Sequence, residues 1–166
     1  GRAGVGQMII NTYNIFKSNI QKITKLNNCN SKLWNRNCYY VLSKEIKPLL
    51  FNKKKFHIRV YFLCCNINNV KSFYLLKKGI IFTAKKEYTN NSLSKDVQDS
   101  RYKSTDSHYV FPDDLLKYYP KNKVNKIFDD TIRIFKYIKK LTNNDCIKKS
   151  KNCYEIYGGD IIISNK

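Results

Sequence analysis

The alternating stretch at residues 55–65, KFHIRVYFLCC, most constrains the fold of this chain. Side chains at every second position of a strand share one face. The stretch therefore predicts a strand with Lys55, His57 and Arg59 on one face and apolar residues on the other. Like charges so close together repel one another. Two explanations stay open: a solvent-facing edge strand, or an anion such as a triphosphate held by Arg59 and Lys55.

The order of the remaining elements predicts an α+β fold with a mainly antiparallel sheet and flanking helices. Apolar residues have helical spacing at 13–23 and again at 124–141. Strand-like stretches are predicted at 38–51, 55–65, 70–84 with an interruption at Gly79, and 153–164 with a break at Gly158 and Gly159. Residues 85–121 are polar and predicted to be irregular.

The charge of the chain favours a polyanionic partner. The 166 residues suit one domain, and 32 Lys and Arg against 12 Asp and Glu give a net charge of +20. Nucleic acid, anionic lipid, nucleotide phosphates and acidic protein tails all suit such a field. No apolar run approaches the ~20 residues of a membrane-spanning helix. The six cysteines show no C-x₂-C spacing, which favours free cytosolic thiols over a zinc site.

The opening stretch GRAGVGQMII is rich in glycine. Gly1, Gly4 and Gly6 would let backbone amides approach a phosphate, with Arg2 adding a positive charge. The stretch lacks the Gly-Lys-Ser/Thr of a P-loop. On its own, it is compatible with either a plain turn or a phosphate cradle.

A single acidic residue, Asp160, lies between the glycine pair and an apolar run. A carboxylate at such a place could ligate Mg²⁺ together with phosphate oxygens. The same residue could instead cap a turn.

Taken in order, these motifs resemble the ATP-grasp core of the tubulin–tyrosine ligase-like family. The resemblance covers most of the chain and is strongest at residues 47–83. Gly4-Val5-Gly6 with Ile9 or Ile10 matches the family's G-x-G loop and its aliphatic residue, and Lys47-Pro48-Leu49-Leu50 matches its K-P-L-L element. Lys55-Phe56-His57-Ile58-Arg59 matches its K-F-D-[IL]-R strand. Tyr157-Gly158-Gly159-Asp160 matches its F-G-[FY]-D element.

The resemblance implies ATP-dependent amide ligation through an acylphosphate, with ATP and Mg²⁺ as cofactors. Lys44 would stand in for the family's lysine near adenine, shifted by one residue, and Thr105 and Asp106 would match its H-L-T-N element. The implied catalytic residues are Arg59 and Asp160, with Asp160 also the metal ligand. The implied nucleotide-binding residues are Gly4, Gly6, Lys44, Lys55, His57, Arg59, Thr105 and Asp106.

The chain departs from the family pattern at two motif positions. His57 stands where the family has Asp, and Phe82 stands where it has Arg. The family's distal E-[VI]-N strand has no counterpart, which leaves Asp160 as the one carboxylate ligand. We therefore expect residues 1–166 to be the central part of an ATP-grasp domain, truncated at both ends and inactive alone. The parent would attach tyrosine, glutamate or glycine to the acidic C-terminal tail of tubulin, in the cytoplasm at the cytoskeleton.

Two alternatives accompany this hypothesis. The parent could have lost catalysis and bind microtubules or another acidic partner by charge alone. It could instead bind nucleic acid, which requires aromatic and basic residues interleaved on one exposed face. Most Tyr and Phe residues here fall at periodic core positions, which argues against nucleic acid.

Overall fold

A computed structural model describes residues 12–18, 46–100, 109–142 and 152–165. Residues 13–18 are helical, as the apolar spacing predicts, and residues 19–23 of that predicted helix lie outside the described ranges. The α+β class with an antiparallel sheet is confirmed. The elements are β1 (Leu50–Phe51), β2 (Lys54–Ile67), β3 (Val70–Leu75), β4 (Gly79–Thr83), α1 (Lys95–Gln98), β5 (Tyr109–Phe111), a 3₁₀ helix (Leu115–Lys117), α2 (Lys121–Thr142) and β6 (Asn152–Ile161).

The 14-residue strand β2 lies inside the sheet. One of its edges pairs with β6 along residues 58–67, and the other pairs with β4 at 56–59 and with β3 at 62–67. Strand β1 pairs with the start of β2, and β5 pairs with β4. All five pairings are antiparallel. The edge-strand explanation of the basic face is therefore wrong, because both edges of β2 are paired with other strands.

Two-residue turns connect β1 to β2 and β2 to β3. Asn52 and Lys53 have φ of 46° and 60°, and Asn68 and Asn69 have φ of 51° and 66°. Positive φ at both central residues is the backbone of the tight hairpin turns whose twist matches that of the strands. Asn tolerates this conformation better than most residues, which explains its use in both turns.

The apolar face of β2 forms the core together with α2 and the 3₁₀ helix. Phe56 and Ile58 are 2% and 1% exposed, and they belong to one buried cluster with Leu115, Val124 and Ile127. Full burial of each such side chain contributes roughly 1.5–3 kcal/mol. The predicted helix at 124–141 is confirmed within α2. No helix in the described residues is both long and apolar enough to cross a membrane.

Three predicted features differ from the structure. Residues 85–121 contain α1, β5 and the 3₁₀ helix, which are too short to show a periodic pattern. Strand β6 continues through Gly158 and Gly159, because its pairing with β2 is unbroken there. Of the predicted strand at 38–51, residues 38–45 lie outside the described ranges, and the rest forms only β1 and a bridge between Pro48 and Ser164.

Candidate functional site

The face of β2 opposite the core carries Lys55, His57 and Arg59, as the alternation predicts. The register places Phe82 of β4 directly opposite His57, and Asp160 of β6 directly opposite Arg59. The two flanking strands therefore bring one aromatic ring and one carboxylate to the basic residues.

Arg59 and Asp160 form a two-pronged ion pair. Arg59 Nε donates to Asp160 Oδ1 at 2.8 Å, and Nη2 donates to Oδ2 at 3.0 Å. These hydrogen bonds raise the pKa of Arg59 above its usual range. The Arg59 guanidinium carbon also lies 5.4 Å from the centre of the Phe82 ring, at cation–π distance. Asp160 thus supplies negative charge that relieves the repulsion on the basic face.

His57 is buried at the centre of this arrangement, with 3% of its surface exposed. Its Nδ1 lies 2.6 Å from Ser100 Oγ, and its Nε2 lies 3.7 Å from Asp160 Oδ1. The ring stacks on Phe82 with centroids 5.0 Å apart. His57 is therefore held by contacts from three parts of the chain.

Residues 92–100, called the cover segment here, lie against the basic face. Lys55 Nζ donates to Gln98 Oε1 at 2.9 Å, and Gln98 Nε2 donates to the Ser92 carbonyl at 3.1 Å. Sequence reasoning missed both Gln98 and Ser100. The available signal was weak: two polar residues at alternate positions beside Val97, which is buried.

Of the predicted site residues, the structure brings Lys55, His57, Arg59 and Asp160 together. The other five, Gly4, Gly6, Lys44, Thr105 and Asp106, lie outside the described residues.

An open apolar groove of about 650 Å³ lies at the far end of the sheet. Its lining includes Leu63, Ile67, Tyr154 and Ile156 and contains no carboxylate, Lys, Arg or His. This groove is therefore separate from the basic face at residues 55–59.

The model of the tubulin-tyrosine ligase family matches residues 14–166. The chain belongs to the tubulin-tyrosine ligase family. Comparison with curated proteins and with solved structures finds no match. The antiparallel α+β sheet agrees with the ATP-grasp-like fold expected for this family. Membership supports a ligase of the tubulin-tyrosine ligase type in general.

The family resemblance also implies Mg²⁺, and the donor set at Asp160 does not fit a protein-held Mg²⁺. Both oxygens of Asp160 accept hydrogen bonds from Arg59. Across the described ranges, no group of three or more His, Cys, Asp or Glu side chains could hold a metal ion. A dication is bound through negative oxygens, and here the available carboxylate is already neutralised by a guanidinium.

Proposed function

We propose that this chain provides the polyphosphate-binding strand of an ATP-dependent ligase that joins an amino acid to an acidic protein tail. The observation that carries the proposal is the position of Lys55 and Arg59. They occupy the basic positions of the family's K-F-D-[IL]-R strand and lie on one sheet face beside Asp160. Membership of the tubulin-tyrosine ligase family supports ATP as the nucleotide.

In the proposed reaction, a carboxylate oxygen attacks the γ-phosphorus of ATP, and ADP leaves. The amino nitrogen of the second substrate then attacks the acyl carbon, and phosphate leaves. Arg59 and Lys55 would orient the polyphosphate and offset the negative charge on the transferring group. A guanidinium fixed before the reaction needs no reorganisation during it, and the ion pair with Asp160 supplies that rigidity.

The proposed acceptor is the acidic C-terminal tail of tubulin. A net charge of +20 favours encounter with a chain of carboxylates. Tyrosine, glutamate and glycine are all amino acids that suit the proposed chemistry. Action on tubulin would place the parent protein in the cytoplasm, at the cytoskeleton.

A second candidate function is binding of microtubules or another acidic partner without catalysis. The contact between His57 and Phe82 favours it, because a stacked imidazole and phenyl ring occupy the positions at which the family motifs have Asp and Arg. Such a protein would still be attracted to acidic partners by its positive charge, but it would no longer depend on a bound nucleotide for its function.

Thermal unfolding with and without ATP distinguishes these functions. Binding to the native state stabilises it by about 2.7 kcal/mol at a hundredfold excess over Kd. We expect ATP to raise the Tm of the chain and of Arg133→Ala, which removes an exposed arginine of α2 that is also paired with an aspartate. Arg59→Ala should lose the rise. An absence of any rise in all three proteins, with co-sedimentation on microtubules retained, would support the binding protein instead.

A further inference from the structure

We propose that Asp160 positions Arg59 as an anion receptor and is not a Mg²⁺ ligand, so that polyphosphate binds at this face without a metal ion held by Asp160. This inference rests on the proposed function of the basic face. It concerns the role of one residue of that face.

The carboxylate of Asp160 is committed to Arg59 by geometry. Each carboxylate oxygen accepts one N–H of the guanidinium, at 2.8 and 3.0 Å. A Mg²⁺ ion needs ligand oxygens at roughly 2.0–2.1 Å in a nearly octahedral arrangement. An ion bound to either oxygen would sit beside the guanidinium and repel it. Metal binding and the ion pair therefore compete for the same two atoms.

Two further features favour the ion pair in this competition. Arg59 and Asp160 are directly opposite in the β2–β6 register, so the strand pairing itself brings them together. Phe82 lies against the guanidinium. The backbone thus places the arginine before any ligand arrives.

The same arrangement leaves part of the guanidinium accessible to an anion. A guanidinium carries five N–H groups, and Asp160 takes two of them. The side chain of Arg59 is 32% exposed, and that of Asp160 is 28% exposed. An arginine that is oriented by a carboxylate and still partly exposed is suited to receive a phosphate oxygen.

The test measures the affinity of inorganic triphosphate and of ATP by calorimetry, once with Mg²⁺ and once with EDTA. We expect the two conditions to differ in Kd by less than about threefold, well under the 1.4 kcal/mol of a tenfold change. Asp160→Asn should leave that ratio unchanged, whatever it does to the absolute affinity. A Kd at least tenfold tighter with Mg²⁺ that loses this advantage in Asp160→Asn would overturn the inference.

A second measurement needs no nucleotide. It compares the Tm of Arg59→Gln, Asp160→Asn and their double variant. The matched control is the exposed ion pair of α2, tested as Arg133→Gln, Asp130→Asn and their double variant. We expect the loss in Tm of the 59/160 double variant to be smaller than the sum of the two single losses. The three variants of the control pair should change the Tm little. Mg²⁺ alone should not change the Tm.

The outcomes separate the two proposals. Additive losses at positions 59 and 160, or a Mg²⁺-induced rise in Tm that Asp160→Asn abolishes, would refute the positioning role. If no polyphosphate binds in any condition, the proposed nucleotide function fails, and the inferred anion receptor fails with it. The melts then still decide whether Asp160 acts as the partner of Arg59 or as a metal ligand.

Discussion

His57 lies directly opposite Phe82 in the β2–β4 register, and their rings stack with centroids 5.0 Å apart and planes 12° apart. The resemblance to the family motifs implies a charged residue at each of these two positions. An Asp at one position and an Arg at the other would face each other across the sheet. The two departures therefore fall on residues that are in direct contact across the sheet.

We predict that restoring both charges destabilises the protein by less than the sum of the two single restorations. His57→Asp places a carboxylate at a site that is 3% exposed, beside Asp160, and should cost about 3 kcal/mol. In the double variant with Phe82→Arg, the new guanidinium lies opposite the new carboxylate. It should recover at least about 1 kcal/mol of the combined loss, within the range of coupling between contacting residues. Urea unfolding of the four proteins measures the coupling.

Simple addition of the two costs in that cycle would show that the positions are independent. Stacking would then be a consequence of the fold, with no bearing on which residue pairs this site accepts.

The hydroxyl of Ser100 should stabilise the buried His57. Because Ser100 Oγ lies 2.6 Å from His57 Nδ1, Ser100→Ala leaves that buried nitrogen without this partner. We expect a loss of about 1–3 kcal/mol in the free energy of unfolding. Ser94→Ala is the matched control in the same cover segment, because Ser94 is exposed and its side chain makes no capping hydrogen bond. Equal stability of both variants would mean that the cover segment does not hold the histidine.

The glycines of β4 and β6 should respond differently to alanine. A Cβ at Gly79 would lie 2.7 Å from the carbonyl oxygen of Arg59, a backbone atom that cannot turn away. We expect Gly79→Ala to cost about 2 kcal/mol. At Gly159, the nearest atom to a Cβ is Val60 Cγ2 at 3.7 Å, an ordinary contact. Gly159→Ala should be neutral or stabilise by up to about 0.5–1 kcal/mol, since glycine weakens a strand interior. Thermal melts in which Gly159→Ala lowers the Tm more than Gly79→Ala would contradict the unbroken pairing of β6.

The strand β2 shows what local pattern can predict. Alternation along residues 55–65 gives the strand and both of its faces, because side-chain direction depends only on the neighbouring backbone. The same alternation does not say whether the strand is central. That depends on β6, whose paired residues are about a hundred positions away, as in the pairing of Arg59 with Asp160.

The site was predictable in part for the same reason. Lys55, His57, Arg59 and Asp160 were found from pattern and motif, whereas Gln98 and Ser100 lie in a segment without periodicity. The four residues of α1 and the three of the 3₁₀ helix are held by tertiary contacts, such as the complete burial of Leu115. Elements this short have too few residues for a period to appear.

Alkaline pH should weaken the attachment of β1 to the helical side of the core through Tyr119. Its hydroxyl donates to the carbonyl of Leu50, and burial raises the pKa of Tyr119 above its usual range. Below about pH 10, the tyrosine is neutral in both the folded and the unfolded chain, and the contact contributes fully. As pH rises through the raised pKa, the unfolded chain ionises more readily than the folded one, so stability is lost.

Tyr119→Phe removes both the hydrogen bond and this titration. We therefore expect the variant to be less stable than the native chain by about 1 kcal/mol near neutral pH, the net value of one hydrogen bond. The difference should narrow as pH rises above about 10, because only the native chain loses the contribution. Tyr137→Phe, at a tyrosine that is 64% exposed on α2, should show a difference near zero at every pH. Urea unfolding at neutral pH and at several alkaline values measures both. A gap between native chain and Tyr119→Phe that stays constant or widens above pH 10 would mean that burial of this hydroxyl does not control its ionisation.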